Sequence, residues 1–385
     1  VRDTATRVGK STRKYGGTRN DRSRIASWSA LKHATRRMEN WARAADGGSP
    51  AGPITRSIVQ PVFTAIGEYY KNRVQPLKSL VDLVVPMRAE LGVEVNISAP
   101  ELSSAGGAAY VFRTKGELIH AILHTGNDSN KQKLLRAGRV DIATAERYIW
   151  GSLAEDGTLD TSRWDAFMTR MFEEGVITKA DMDLVQGIWN IFAETKKAAQ
   201  AAHKQMFGFE FEEISSSPVE TPFGSYPGGY VPAVTDRMMD IAGGAKVDAD
   251  NLASQQNASM FPGAERGFTK SRVEAYAEPL QLDLTSIASH FDRVMKFAYL
   301  GPAVREAAYL ATSREFRSAV NQYDNGAVDD IIIPFLQRAV RQTDSEPSKL
   351  DPLIKPLAVL SRRVGLHIMA GNLVNAAQQA TGLSV

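Results

Sequence analysis

Apolar residues recur at helical spacing along most of the chain. Ile58, Val62, Ile66 and Tyr69 begin one stripe, and Val74, Leu77, Val81 and Val84 continue it. Pro61, Pro76 and Pro86 interrupt this run. Each ring removes an amide donor and crowds the preceding turn, so the pattern predicts a helix kinked or broken into pieces. Residues 93–112 are short, β-branched and punctuated by Gly and Ser, and read as a loop with a brief strand. A helix follows with Thr114 as N-cap and Glu117 three residues on; it carries Ile119, Ile122 and Leu123 and stops at Gly126. Asn127 or Asp128 caps the next short helix, which bears Leu134 and Leu135 and is closed by Gly138. Asp141–Leu153 and Thr161–Phe172 read as two more helices. The strongest signal starts at Thr178, with Asp181 in the first turn, then Met182, Val185, Ile188, Trp189 and Phe192 on one face, and an end near Gly208.

After Gly208 the texture changes. Phe209–Ile214 alternates as a strand does, and the prolines, glycines and serines of Ser215–Thr235 exclude a helix. Residues 241–267 lack periodicity and read as a long loop. Helical spacing resumes with Leu284, Ile287, Phe291, Val294 and Ala298, and further helices are expected over 302–321, 327–342 and 351–381. No period of 20–50 residues repeats, which argues against a solenoid. The pattern predicts an all-α chain: two helical halves joined by a Pro/Gly-rich belt, with at most one short strand pair. The expected divisions are a basic arm over 1–20, a helical part over 21–208, the belt and long loop over 209–267, and a second helical part over 268–385.

The chain has 385 residues, of which 43% are hydrophobic and 23% charged, an ordinary balance for a folded protein large enough for two or three packed units. Having no cysteine, it offers no disulfide scaffold, thiolate metal site or cysteine nucleophile. It contains neither an uncharged apolar run of membrane-spanning length nor a charged-then-apolar leader. It begins at Val1 and is read as a piece of something longer. The net charge of +3 is uneven: residues 1–60 carry thirteen Lys/Arg against four acids, or +9, leaving −6 for the rest. Arg13, Lys14, Arg19, Arg22, Arg24, Arg36 and Arg37, interleaved with Tyr15, Trp28 and Trp41, suit contact with phosphates or an anionic membrane. The same segment also reads as a tail leading into an amphipathic helix with Ile25, Trp28, Leu31 and Met38 buried, and helical spacing favours this second reading.

Glu117, His120 and His124 have the ExxHxxxH spacing that places all three along one helix face, where two histidines at i and i+4 could share a metal ion. A third ligand or a second Glu-x-x-His helix is missing from the sequence, so no metal or other cofactor is expected. Neither a phosphate-binding loop nor a nucleophile elbow occurs, and the adjacent acids Glu173–Glu174 and Glu212–Glu213 point apart, as solvated faces do. These residues predict no enzyme. The small-residue segment Val364–Leu383 reads as an interhelical packing segment, because Asn372, Asn375, Gln378 and Gln379 would make a membrane span costly.

Three blocks taken together carry a resemblance. The first is Lys115-Gly-Glu-Leu-Ile-His-Ala-Ile-Leu-His-Thr-Gly-Asn127-Asp-Ser-Asn130, followed by Lys133-Leu-Leu-Arg-Ala-Gly138. The second runs from Leu184-Val-Gln-Gly-Ile-Trp189 through Thr221-Pro-Phe-Gly224 to Gly228-Gly-Tyr-Val-Pro232. The third is Gly267-Phe-Thr-Lys270-Ser-Arg272, then a helix with His290, then Gln378, Gly382 and Leu383. In order and spacing, over roughly residues 110–385, these resemble helical segments of the very large polyvalent proteins of tailed bacteriophages, some of which are similar to internal virion proteins ejected with the genome. The resemblance implies a virion interior location, delivery into the host cell, and partners among other virion proteins and copies of itself. Double-stranded DNA and the host envelope are further contacts it allows. It implies no catalytic residue. In the alternative readings, the chain is a nucleic-acid-binding module working through its basic arm, or the non-catalytic part of a larger virion enzyme such as an RNA polymerase or a peptidoglycan hydrolase. Physically, Asn127 and Asn130 are expected to fix a helix–helix corner with Asn130 bonded to amides of the next helix. Trp189 is expected to anchor the core under the belt. Gly228, Gly229, Tyr230 and Pro232 are expected to turn, pin and stiffen the belt.

Overall fold

The computed structural model describes residues 36–103, 109–140, 147–211, 213, 215–234 and 278–342. Outside these lie Arg13, Lys14, Arg19, Arg22 and Arg24 of the basic arm, the stripe positions Ile25, Trp28 and Leu31, Glu212, the loop over 241–267, the block at Gly267–Arg272, and the helix expected over 351–381. The described chain is dominated by helix. Among the described residues, no helix is long and apolar enough to cross a membrane.

Packing divides the chain into two compact units, and the first is discontinuous in sequence. It takes the segment ending at Glu68 and a segment beginning at Ala303. Residues 36–45 form α1, which buries Met38, Trp41 and Ala42. Asp46 then accepts the backbone amides of Ile54 and Thr55 at 3.0 and 2.9 Å, capping a π-helical turn, Thr55–Val59, which runs into α2, Gln60–Leu91. The returning segment holds the end of α8, Gly301–Thr312, then α9, Arg314–Tyr323, a second π-helical turn, Val328–Ile332, and α10, Ile333–Gln342. Trp41 donates its indole N–H to Asp324 at 2.9 Å, and the rings of Phe63 and Phe335 meet edge-on at 5.8 Å. The helix expected over 302–321 is divided because Ser313 is extended and its hydroxyl accepts the amide of Phe316, starting α9 afresh.

The described part of the second unit lies within Tyr69–Pro302. Its elements are β1, Glu94–Ala99; β2, Tyr110–Thr114; α3, Lys115–Leu123; and α4, Asp128–Ala137. These are followed by β3, Arg139–Val140; β4, Arg147–Tyr148; β5, Ser152–Leu153; and β6, Leu159–Asp160. The unit continues with α5, Ser162–Glu173; α6, Lys179–Phe207; β7, Val219–Thr221; β8, Gly224–Tyr226; and α7, Thr285–Tyr299. The strands pair only as consecutive antiparallel couples, β1–β2, β3–β4, β5–β6 and β7–β8. The expectation of at most one strand pair is thereby corrected to four among the described residues. Phe112, buried opposite the exposed Val111 and Arg113, drives the first pair into an aromatic core with Tyr110, Trp150 and Phe167.

Three further expectations are corrected. Gln60–Leu91 is one helix despite Pro76 and Pro86. Pro76 is half-buried and Pro86 exposed, while Leu77, Leu80, Val81 and Val84 keep the buried stripe intact. Residues 147–153 are strand and turn rather than helix. The amides of Trp150 and Gly151 both donate to the carbonyl of Leu135, a long-range demand that overrides local periodicity. The described part of Phe209–Ile214 is not a strand, because the Gln200 amide brackets Phe211, donating to its carbonyl at 2.9 Å and accepting its N–H at 3.0 Å. The belt residues 215–234 fall within the second unit.

Local caps behave as their residue types dictate. Thr178 and Asp181 form a reciprocal capping box at α6, and Gly208 ends that helix with φ +85°. The fully buried Asp181 also meets Lys115 Nζ at 2.8 Å. Asp181→Ala removes a cap and the partner of a nearly buried cation, and should destabilise the chain by about 3 kcal/mol. A drop in the urea midpoint with unchanged slope checks this; a change within error would show that the pair contributes nothing.

Candidate functional site

The residues that carry the first two sequence blocks come together at one joint. α3 is buried along almost its whole length, and Thr114 caps it by accepting the Glu117 amide at 3.1 Å. A single tight turn, His124–Gly126, ends it. Asn127, fully buried, then caps α4 by accepting the Asn130 amide at 2.9 Å. This leaves the Gly126 carbonyl facing the belt, where it accepts two amides, from Ser217 at 2.9 Å and from Gly229 at 2.8 Å. The Asn127 side-chain amide donates to the Gly229 carbonyl at 3.0 Å, and that of Asn130 donates to the Val231 carbonyl at 2.6 Å. Ser217 completes the joint through Asp128 at 2.8 Å.

Trp189 of α6 lies over the joint and donates its indole N–H to the Leu123 carbonyl at 3.0 Å. The approach is too close for any side chain at the two glycines beneath it. A Cβ on Gly126 would sit 2.4 Å from the indole ring, and one on Gly229 would sit 2.4 Å from Trp189 Cβ. Gly228 has φ +78° and a Cβ there would strike the Ser217 carbonyl. Tyr230 packs edge-on to Phe192 with centroids 6.4 Å apart, and burial pushes its hydroxyl above the usual tyrosine range. Pro232 is buried at the exit.

The structure therefore brings Asn127, Asn130, Trp189, Gly228, Gly229 and Tyr230 together around the belt. One expectation is corrected: Asn130 bonds a belt carbonyl rather than amides of the next helix, and the capping acceptor is Asn127. Ser217, Asp128 and Gln186, whose side chain donates to the Gly228 carbonyl at 3.3 Å, belong to the same joint and were missed. The amide of Ser217 and the carbonyl of Gly126 act through backbone, which leaves no side-chain signature in a sequence.

The histidine constellation separates. His120 and His124 lie side by side, ring centroids 5.0 Å apart, both fully buried. Glu117 turns away to accept from the Tyr110 hydroxyl at 2.6 Å and the Arg113 amide at 2.9 Å. Among the described residues no three potential metal ligands converge. Burial and the Arg139 charge push His120 down to about 3, and burial, His120 and Lys133 hold His124 well below its usual value. Glu174 pairs with Arg170 at 3.1 Å and Glu213 with Lys196 at 2.6 Å. Arg36 and Arg37 are exposed on α1.

The joint positions chain segments and spends its polar groups on backbone. Compared with protein-family models, curated proteins and solved structures, the chain matches none.

Three substitutions separate the parts of the joint. Gly229→Ala should destabilise by about 3 kcal/mol through the clash with Trp189, read as a lowered denaturation midpoint. Asn127→Ser keeps a cap acceptor but is too short to reach the belt. Asn127→Ala loses both roles and should cost about 1 kcal/mol more than the serine variant. Equal losses would mean that the cap contributes nothing there.

Proposed function

We propose that the chain is a helical interaction segment of an internal virion protein of a tailed bacteriophage, one ejected with the genome. On this reading it works by contact with neighbouring protein subunits, copies of itself among them, rather than by making or breaking bonds. The observation that supports this most is the convergence at one joint of motif residues from the first two blocks carrying the phage resemblance: Gly126, Asn127, Asn130, Trp189 and Gly228–Val231. Their polar groups bind backbone and their glycines admit an indole, so the motifs encode a rigid shape. A rigid interior keeps in place the outer faces that a subunit in an assembly presents to its neighbours. The test is where the chain resides. Mass spectrometry of purified particles carrying its gene should detect it in intact virions and find it depleted after triggered DNA release. Detection only in the cytoplasm of infected cells would overturn the proposal.

The second reading, DNA binding, is favoured by one observation. Arg36 and Arg37 are exposed on α1 while Met38, Trp41 and Ala42 are buried, so the helix offers its cations on an outer face. Affinity for duplex DNA should fall steeply with salt, and Arg36→Gln with Arg37→Gln should reduce the slope of log K against log salt by about 2. Binding that ignores both changes would remove these residues from DNA contact.

A further inference from the structure

His120 and His124 are singled out by the sequence, yet the joint makes no use of their imidazoles. Both rings are 0% exposed, with planes 38° apart, and none of their four nitrogens has a hydrogen-bond partner among the described residues. A neutral imidazole carries one N–H and one acceptor nitrogen, so no described protein group stabilises a charged form of either ring. Every residue of α3 from Leu118 to Leu123 is buried, so neither ring can gain a solvated proton while the helix stays seated. His124 is moreover part of the His124–Gly126 turn, two residues before the carbonyl that holds the Ser217 and Gly229 amides.

The charges around the pair oppose protonation. Arg139, on β3, acts on His120, and Lys133, on α4, acts on His124. α3 packs on β1, β2, α6 and its own following turn. Glu94 of β1 and Arg113 of β2 are exposed. Asp181 of α6 is engaged with Lys115 at 2.8 Å, and Glu117 on α3 with Tyr110 and the Arg113 amide. Asp128 of α4 holds Ser217.

We infer that the His120–His124 pair is an acid-released latch: proton uptake by the two rings unseats the α3–α4 corner and frees the belt from the Gly126 carbonyl. The sign follows from linkage. The closed corner depresses the affinity of both rings for protons, whereas the opened corner restores ordinary values near 6.5. The closed form is therefore fully favoured above about pH 6.5 and loses ground as pH falls below it. For each ring released, the opening equilibrium rises by about tenfold per pH unit. This inference stands apart from the virion reading and does not need it.

The belt has a second buried histidine against it, which serves as a control. His290 on α7 faces Tyr230 and Phe192 at 6.5 and 5.9 Å, and burial with Arg293 lowers it to about 3. The experiment is amide hydrogen exchange across residues 215–232 from pH 7.5 to 5.0, corrected for the intrinsic chemical rate. Opening at Ser217 and Gly229 should rise by at least about tenfold per pH unit below about 6.5. His120→Phe with His124→Phe should flatten that slope, while His290→Phe should leave it in place. A slope that persists in the double variant, or one lost in His290→Phe alone, overturns the inference. Should the double variant fail to fold, imidazole NMR of the unaltered chain decides. Rings of His120 and His124 that change state only together with loss of the belt amides support the latch; rings that titrate while those amides stay protected refute it.

Discussion

The second unit depends on one backbone oxygen. The carbonyl of Gly126 uses both its lone-pair directions on belt amides more than eighty residues downstream, and nothing larger than hydrogen fits beside it under Trp189. A typical hydrogen bond contributes about 1 kcal/mol net, but a buried amide or carbonyl that loses its partner costs about 1–3 kcal/mol. Because the Ser217, Gly229 and Val231 groups all look toward the α3–α4 corner, losing one partner exposes the others to the same penalty. The bonds of the joint therefore support one another. The two asparagines suit this arrangement because each presents a donor and an acceptor on one rigid plane, so Asn127 can cap a helix and hold the belt at once.

What was legible in the sequence is what local chemistry decides. Thr114, Asn127 and Thr178 start helices where their side chains predict, and Gly138 and Gly208 end them with positive φ. Trp189 stands out as an indole on the apolar face of the strongest helix, and the double glycine as a tight turn in the belt. The misreadings arise where packing or a partner outside the segment overrides its own pattern. Residues 147–153 carry an apolar rhythm compatible with a helix, but the Leu135 carbonyl claims two of their amides. Phe211 alternates with its neighbours as a strand would, yet a glutamine side chain satisfies its backbone in place of a second strand. Pro76 and Pro86 carry strong local penalties, outweighed by a buried stripe that continues on both sides.

The candidate site followed the same division. The glycines, the tryptophan and the asparagines could be named in advance, whereas the Ser217 amide and the carbonyls of Leu123, Gly126 and Val231 could not, since any residue supplies them. The histidines show the opposite failure. A spacing that suits metal ligation placed His120 and His124 side by side, but the backbone of β2 drew Glu117 away, and packing alone surrounds the two rings. Spacing on one helix determines adjacency along that helix only; the third partner is chosen by whichever strand lies alongside.

The interruption of the first unit by the second governs the order in which the protein can assemble. The indole of Trp41 finds its carboxylate acceptor 283 residues further along the chain. While a ribosome is still making the intervening stretch, at roughly 5–20 residues per second, the Trp41 indole waits some tens of seconds for that acceptor. The described part of the second unit, which lies within Tyr69–Pro302, can form during that wait. The contact between α1 and the returning segment is thus among the last that the described chain can make.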